Sequence, residues 1–129
     1  MALIQHNPGT VAAPAGPYSN GVSAPGGGRW LHIAGQIGVR PDGKAGGSLE
    51  EQADVIWQNL LAVLADAGMT VSDLVKTTHY LLRAEDLKEY GAVRSRYLGD
   101  ARPASTVVIV HALARPEWLL EVEAIGWRA

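Results

Sequence analysis

The 129 residues are 47% hydrophobic and 19% charged, with a net charge of -2 and no cysteine. This composition is typical of an ordinary globular protein and argues against a disordered or membrane-embedded chain. No basic run or stripe is present, so nucleic acid is not expected as a partner. The lack of cysteine excludes disulfides, thiol catalysis and Cys-ligated metal. A cytoplasmic location is expected, since the N-terminus also lacks a signal-peptide pattern.

The first half of the chain predicts two strands followed by a long helix. Residues 8–28 are rich in Gly, Pro, Ala and Ser, which indicates an ordered loop with a short strand near residues 19–22. Residues 29–39 alternate between apolar and polar positions and predict a clearer strand. Ser48 and Glu51 have the spacing of a capping box, and an apolar stripe follows at helical intervals. Gly68 lies where a left-handed C-cap is expected, and Trp57 is expected in the core.

The second half predicts a strand over 75–82, a helix over 84–98 and strands over 106–110 and 119–125. Residues 106–110 carry no charge, so this strand is predicted to be buried on both faces. The order indicates one α+β domain over residues 1–129, with the helices packed on one face of a mixed sheet. Apolar residues are also expected on the opposite face, which favours association of several copies. These residues are Val107, Ile109, Leu119 and Ile125.

Two carboxylates in the last strand are the first candidates for chemistry. The period of two places Glu121 and Glu123 on one face, opposite Leu120, Val122 and Ala124. A carboxylate in an otherwise apolar strand is costly to desolvate unless it is paired, protonated or exposed in a cleft. The alternative is that both simply face solvent from an edge strand.

The histidines and the glycine run are weaker candidates. His32, His79 and His111 lie on different predicted strands, and two of them would flank one pocket if these strands were neighbours. Their spacing does not indicate a metal site, so no metal is expected. The run Pro25–Gly28 precedes a strand instead of following one and opening a helix, which favours a turn over a phosphate loop.

Six short motifs then occur in one order and spacing, and together they resemble the RidA/YjgF family, also labelled endoribonuclease L-PSP. They are Gly16-Pro17-Tyr18-Ser19-Asn20, Ala34-Gly35-Gln36-Ile37, Gln58-Asn59-Leu60, Asp73-Leu74-Val75-Lys76-Thr77-Thr78, Arg102-Pro103-Ala104 and Leu120-Glu121-Val122-Glu123-Ala124-Ile125. The resemblance implies a chorismate-mutase-like (bacillus type) α+β fold, with a mixed six-stranded sheet and two helices on one face. It also implies a homotrimer with three clefts between subunits.

The activity that the resemblance implies is cofactor-free hydrolysis of small enamines or imines of the 2-aminoacrylate type to 2-keto acids and ammonia. Some family members are described as ribonucleases or translation inhibitors. An imine carbon is already electrophilic, so such a site needs to hold the substrate carboxylate, place a water and move a proton. In the family an arginine holds the carboxylate, a glutamate positions the water and a tyrosine lines the cleft.

This chain has only some of the residues that the resemblance implies for the site. Tyr18 matches the tyrosine, Gly35 the glycine and Glu121 the glutamate, whereas Ala34 replaces a serine that helps to bind substrate. Ser105 stands where the family has its arginine, and a hydroxyl supplies no charge. Losing a buried carboxylate contact of this kind costs about 2–5 kcal/mol of binding. The resemblance therefore implies a substrate other than 2-aminoacrylate, with Glu121 as the catalytic residue.

Two questions stay open at the level of sequence. Arg102, Arg40, Arg96 and Arg115 are the arginines considered as substitutes for the missing one, and spacing places none of them in a cleft. The second question is whether the site is catalytic at all. The leading hypothesis is an imine hydrolase, the alternative is a non-catalytic trimer that binds a small metabolite, and ribonuclease activity is the least favoured because the chain has no basic surface run.

Overall fold

The computed structural model describes residues 2–129, which form six strands and two α-helices. The elements are β1 (Ile4–His6), β2 (Gly21–Ser23), β3 (Arg29–Ile37), α1 (Leu49–Asp66), β4 (Leu74–Leu81), α2 (Leu87–Leu98), β5 (Ala104–Ile109) and β6 (Leu120–Arg128). Short 3-10 turns at Val71–Asp73 and Ala84–Asp86 precede β4 and α2. The predicted α+β class is confirmed, and β1 is a strand that the sequence reading missed.

The strands form two sheets instead of the single six-stranded sheet that was predicted. The main sheet has the order β3-β6-β4-β5, in which β6 is antiparallel to β3 and β4, and β5 is parallel to β4. Strands β1 and β2 form a separate antiparallel pair, connected to the main sheet by a bridge between Ser19 and Ala104. Helix α2 makes the crossover between the parallel strands β4 and β5.

Helix α1 begins and ends near the predicted residues. The Ser48 side chain accepts a hydrogen bond from the Glu51 amide at 3.1 Å, which satisfies one of the free N–H groups of the first turn. In a complete capping box the Glu51 carboxylate would accept from the amide of Ser48 itself. Here it accepts instead from the amide of the preceding residue, Gly47, at 2.8 Å. Gly68 follows the helix with a φ of 72°, a conformation that favours glycine.

The core lies between the two helices and one face of the main sheet. Alternation along β4 and β6 places Leu81, Leu120 and Val122 on this face, and Trp57 of α1 packs there as predicted. Val107 and Leu119 also pack against the core, so their predicted place on the opposite face is wrong. Leu87, the first residue of α2, is 44% exposed.

Strand β5 is the edge of the main sheet, which contradicts its predicted burial on both faces. Within residues 2–129, β5 pairs along its length with β4 and meets Ser19 at Ala104 alone, and Val108 and Ile109 are 38% and 46% exposed. Trp30, on the edge strand β3, is 54% exposed. Val108 and Trp30 lie on the face of the sheet that the helices leave uncovered, which we call the open face. Within residues 2–129, no helix has the length and apolar character needed to cross a bilayer.

Candidate functional site

Glu121 lies on the open face, where three strands meet at one end of the sheet. On β6 it is paired with Tyr80 of β4 and with Ile37 of β3, and its side chain is partly buried. Tyr80, Glu121 and Glu123 line a concavity of about 300 Å³, closed on one side by the segment 110–114. The prediction that Glu121 and Glu123 share a face is therefore confirmed, and the two carboxylates line the same concavity.

Gly35 packs directly against the Glu121 carboxylate. The pairing of β3 with β6 is irregular between Ile33 and Gln36, so Gly35 lies in a local bulge. A Cβ atom added to Gly35 would lie 1.9 Å from Oε2 of Glu121 and 2.8 Å from its Cδ. Any side chain at position 35 would therefore displace this carboxylate, and the structure brings Gly35 and Glu121 together.

The two carboxylates of the concavity differ in their hydrogen bonding. The Tyr80 hydroxyl donates to Oε1 of Glu123. No hydrogen bond within residues 2–129 was found to the Glu121 carboxylate, although its side chain is partly buried. Burial raises the pKa of Glu121 above its ordinary value of 4.5, and the negative charge of Glu123 raises this pKa further. Glu121 thus combines free acceptor oxygens with increased basicity, as a residue that activates water requires.

Tyr18 lies at the opposite end of the sheet in the same chain. Its neighbour Ser19 forms the bridge to Ala104, at the start of β5, and the Tyr18 hydroxyl accepts a hydrogen bond from the Ala15 amide at 3.2 Å. Ala104 is paired with Lys76 of β4, whereas Glu121 is paired with Tyr80, four residues further along the same strand. Four residues of a strand span about 13 Å, so one chain does not bring Tyr18 and Glu121 together.

Ala34 and Ser105 are likewise separated from each other. Ala34 is exposed on β3 next to Gly35, and its carbonyl accepts from Nε2 of Gln36 at 3.0 Å. Ser105 lies on β5 and faces the helix side of the sheet, where its Oγ is 3.1 Å from Nε2 of His79. Gly35, Ala34 and Glu121 therefore form one group of predicted site residues, and Tyr18 and Ser105 lie near the start of β5.

A buried polar network around His79 was not anticipated from the sequence. The Tyr90 hydroxyl contacts Nδ1 of His79 and accepts from Nε1 of Trp57 at 3.3 Å, while Nε2 of His79 is 2.9 Å from Oγ1 of Thr77. Burial lowers the pKa of His79 to about 3, with smaller effects from the charges of Arg94 and Lys76. His79 is therefore neutral at pH 7. His79 alternates along β4 with Thr77 and Leu81 on the core face, a pattern from which its burial could have been predicted.

The histidines do not flank a common pocket. His32 is exposed on the open face opposite Ile125, and His111 is exposed after the end of β5, whereas His79 is enclosed between sheet and helices. No cluster of three or more metal-ligating side chains was found within the described residues. The turn at Pro25–Gly28 leads into β3, with Gly27 and Gly28 at φ values of 83° and 81°.

Comparison with known proteins places this geometry in a family. The family model described as endoribonuclease L-PSP matches residues 9–127. The chain is 35% identical over 119 residues to a RutC family protein of Pyrococcus horikoshii, which covers 89% of this chain and 90% of that protein.

Solved structures of Rid family proteins are also similar to this chain in fold and sequence. The Rid family protein YyfB of Yersinia pestis aligns with a TM-score of 0.88 and 32% identity, over 99% of this chain and 100% of that one. RidA from an Antarctic Psychrobacter gives a TM-score of 0.73 and 29% identity, over 90% and 92% of the two chains. The chain therefore belongs to the endoribonuclease L-PSP family, also known as the RidA/YjgF family.

Proposed function

We propose that this protein hydrolyses a small enamine or imine and releases ammonia, with Glu121 as the catalytic base. The observation that carries the proposal is the placement of the Glu121 carboxylate. It rests on Gly35, lines an open concavity of about 300 Å³ and has a raised pKa. A carboxylate with this environment can orient a water molecule and take a proton from it near neutral pH.

The proposed reaction needs only water and one proton-transferring group. The enamine first tautomerises to the imine, and the water oxygen then bonds to the imine carbon while Glu121 takes a proton from that water. Glu121 returns that proton to the nitrogen, which has gained the C=N π electron pair, and this gives a carbinolamine. Glu121 then moves the remaining hydroxyl proton to the nitrogen, so that the C–N bond breaks, the C=O bond forms and ammonia leaves. No cofactor is needed, because the substrate carbon is electrophilic from the start.

We also propose that the working form is a homotrimer whose sites lie between subunits. The bridge of Ser19, next to Tyr18, lies four strand residues or about 13 Å from the register position of Glu121, and we infer that a second copy brings Tyr18 and Glu121 to one site. The open face, with Trp30 54% and Val108 38% exposed, offers apolar surface for such a contact. In mixed trimers of Tyr18→Ala and Glu121→Ala chains, some sites would contain both native residues, so mixing the two inactive variants is expected to restore activity.

The substrate is proposed to differ from 2-aminoacrylate, because the family resemblance implies a carboxylate-binding arginine at the position that Ser105 occupies. RNA cleavage, which the family description mentions, is not favoured by this site. A phosphodiester would bring negative charge next to Glu121 and Glu123, and the net charge of the chain is -2.

The test is ammonia release from a panel of imines generated in situ, including 2-aminoacrylate. Glu121→Ala is expected to decrease kcat/KM by about 10²- to 10⁴-fold, the usual contribution of a general base. Glu123→Gln is the comparison variant and should lose far less, since Glu123 is already hydrogen bonded to Tyr80 and acts on Glu121 only through its charge. A wild-type protein that turns over no member of the panel, but gains thermal stability with a keto acid, would instead indicate a binding protein.

A further inference from the structure

Tyr80 lines the candidate site, but the proposed hydrolysis gives it no role. It lies on β4 directly opposite Glu121 in the pairing of β4 with β6, and it lines the same concavity as Glu121 and Glu123. Its hydroxyl donates to Oε1 of Glu123, although the residue opposite Glu123 in register is Thr78. The Tyr80 side chain therefore extends diagonally from the position opposite Glu121 to Glu123, as a long aromatic side chain can in an antiparallel pair.

The Tyr80 hydroxyl acts as a donor to Glu123. The hydrogen bond to Glu123 raises the pKa of Tyr80, and burial and the charges of Glu123 and Glu121 raise it further. Tyr80 therefore keeps its hydrogen at neutral pH, and an ionised carboxylate accepts without donating. A hydrogen bond donated to a carboxylate favours its charged form. Tyr80 thus occupies one oxygen of Glu123 and stabilises its negative charge.

Glu121 and Glu123, which we call the carboxylate pair, differ in this respect. Among the described residues, Glu121 receives no hydrogen bond comparable to the one from Tyr80. Burial raises the pKa of Glu121, and the charge of Glu123 raises it further. A proton taken up by two neighbouring carboxylates goes to the one whose charge is less stabilised. With Tyr80 bound to Glu123, that carboxylate is Glu121.

Other titratable groups on the open face lie beyond the carboxylate pair. His32 of β3 and Lys76 of β4 both lie opposite Ile125, two residues further along β6. Nζ of Lys76 donates to Oγ1 of Thr106 at 2.7 Å, and β5 itself contains no titratable side chain. His111 is exposed and is not among the residues that line the concavity. The hydroxyl donated from β4 is therefore what distinguishes the two carboxylates.

The four arginines considered from the sequence are engaged or exposed elsewhere. Arg40 and Arg96 contact carboxylates of α1 at 2.9 Å and 3.7 Å. Arg102 donates to two backbone carbonyls, and the guanidinium of the exposed Arg115 lies 6.0 Å from the centroid of the Trp118 ring. None of the four lines the concavity that contains the carboxylate pair.

We propose that Tyr80 is a positioning residue that assigns the roles of the carboxylate pair: it keeps Glu123 ionised and fixed, so that Glu121 is the carboxylate that exchanges protons with water and substrate. This inference rests on the proposed hydrolysis, because it explains why Glu121 is the base. Without the hydroxyl, Glu123 takes up part of the protons that Glu121 otherwise binds. Glu121 then stays ionised to lower pH and is a weaker base.

Titration of the glutamate carboxyl carbons by NMR tests this role without requiring turnover. The proteins are wild type, Tyr80→Phe, Glu123→Gln and the double variant, and Glu121→Gln identifies the Glu121 signal. Tyr80→Phe is expected to lower the midpoint of the Glu121 titration by about 0.5 to 1 pH unit. Glu123→Gln should lower it at least as far, because it removes the neighbouring charge itself, and adding Tyr80→Phe should then have no further effect.

The matched control is Tyr97→Phe. Tyr97 of α2 also donates its hydroxyl to a carboxylate, that of Asp54 on α1, but this pair lies on the helix side of the sheet. Tyr97→Phe should leave the Glu121 titration unchanged. In assays of ammonia release, Tyr80→Phe should move the low-pH decline of kcat/KM by the same amount as the NMR midpoint, and Tyr97→Phe should not move it.

The outcomes separate this inference from the proposed function. A Glu121 midpoint that stays or rises in Tyr80→Phe, or that falls equally in Tyr97→Phe, refutes the role of Tyr80. If the midpoint falls as expected but no imine is hydrolysed, the effect of Tyr80 on the carboxylate pair stands and the proposed hydrolysis fails. Thermal unfolding checks the fold of Tyr80→Phe, and Tyr80→Leu, which also lacks the hydroxyl, should give the same shift.

Discussion

Replacing Gly35 with alanine is the sharpest test of how the Glu121 carboxylate is held. The new Cβ would lie 1.9 Å from Oε2 of Glu121, whereas non-bonded heavy atoms settle at about 3.5 Å. The carboxylate oxygen must therefore move by about 1.5 Å. A misplacement of about 1 Å can decrease the rate about 100-fold, which corresponds to about 2.7 kcal/mol of transition-state stabilisation.

The expected result for Gly35→Ala is a decrease of about 100-fold in kcat/KM for the best imine of the panel, with little change in fold stability. Glu121 can rotate away from the new methyl group, so the free energy of unfolding should change by less than about 1 kcal/mol. Ammonia release measures activity, and urea titration followed by tryptophan fluorescence measures stability. Gly47→Ala is the matched control, since its Cβ would lie at an ordinary 3.5 Å from Oε2 of Glu51.

A double-mutant cycle decides whether the clash with Glu121 is the cause. In the Glu121→Ala background, Gly35→Ala should have no further effect on activity, because the displaced carboxylate is already absent. Full activity of Gly35→Ala, or an equal further loss in both backgrounds, would refute the view that Gly35 positions this carboxylate.

Glu123→Gln removes a neighbouring negative charge that contributes to the raised pKa of Glu121. The decline of the hydrolysis rate at low pH should therefore move to lower pH, and an unchanged pH–rate profile would contradict this effect of Glu123. Burial lowers the pKa of His79 from 6.5 to about 3, so below pH 6.5 the unfolded chain binds a proton that the folded chain does not. The free energy of unfolding should therefore fall by up to about 1.4 kcal/mol per pH unit as the pH decreases from 6.5, and in urea titrations His79→Gln should show a flatter dependence. Leu60→Ala should decrease the free energy of unfolding by about 2–5 kcal/mol, because Leu60 is fully buried in the core. Leu87→Ala, at a residue that is 44% exposed, should change it by about 0.5 kcal/mol or less.

Local patterns in the sequence were sufficient for both helices, for five of the six strands and for the shared face of Glu121 and Glu123. Helix α1 begins after Ser48 and is followed by Gly68 because hydrogen-bond capping and a left-handed turn depend on adjacent residues. The alternation of β6 correctly placed Glu121 and Glu123 together, since strand geometry alone fixes which residues share a face.

Tertiary structure decided which surfaces and side chains meet. The uncharged β5 suggested burial, yet its place at the edge of the sheet follows from the pairing order, which local periodicity does not encode. The contact of Gly35 with Glu121 depends on an irregular pairing of β3 and β6, and the hydrogen bond from Tyr80 to Glu123 depends on the register of β4 against β6. Residue spacing along the chain determines local conformation, but distances between strands and helices arise only from packing, and the chemistry proposed here depends on those distances.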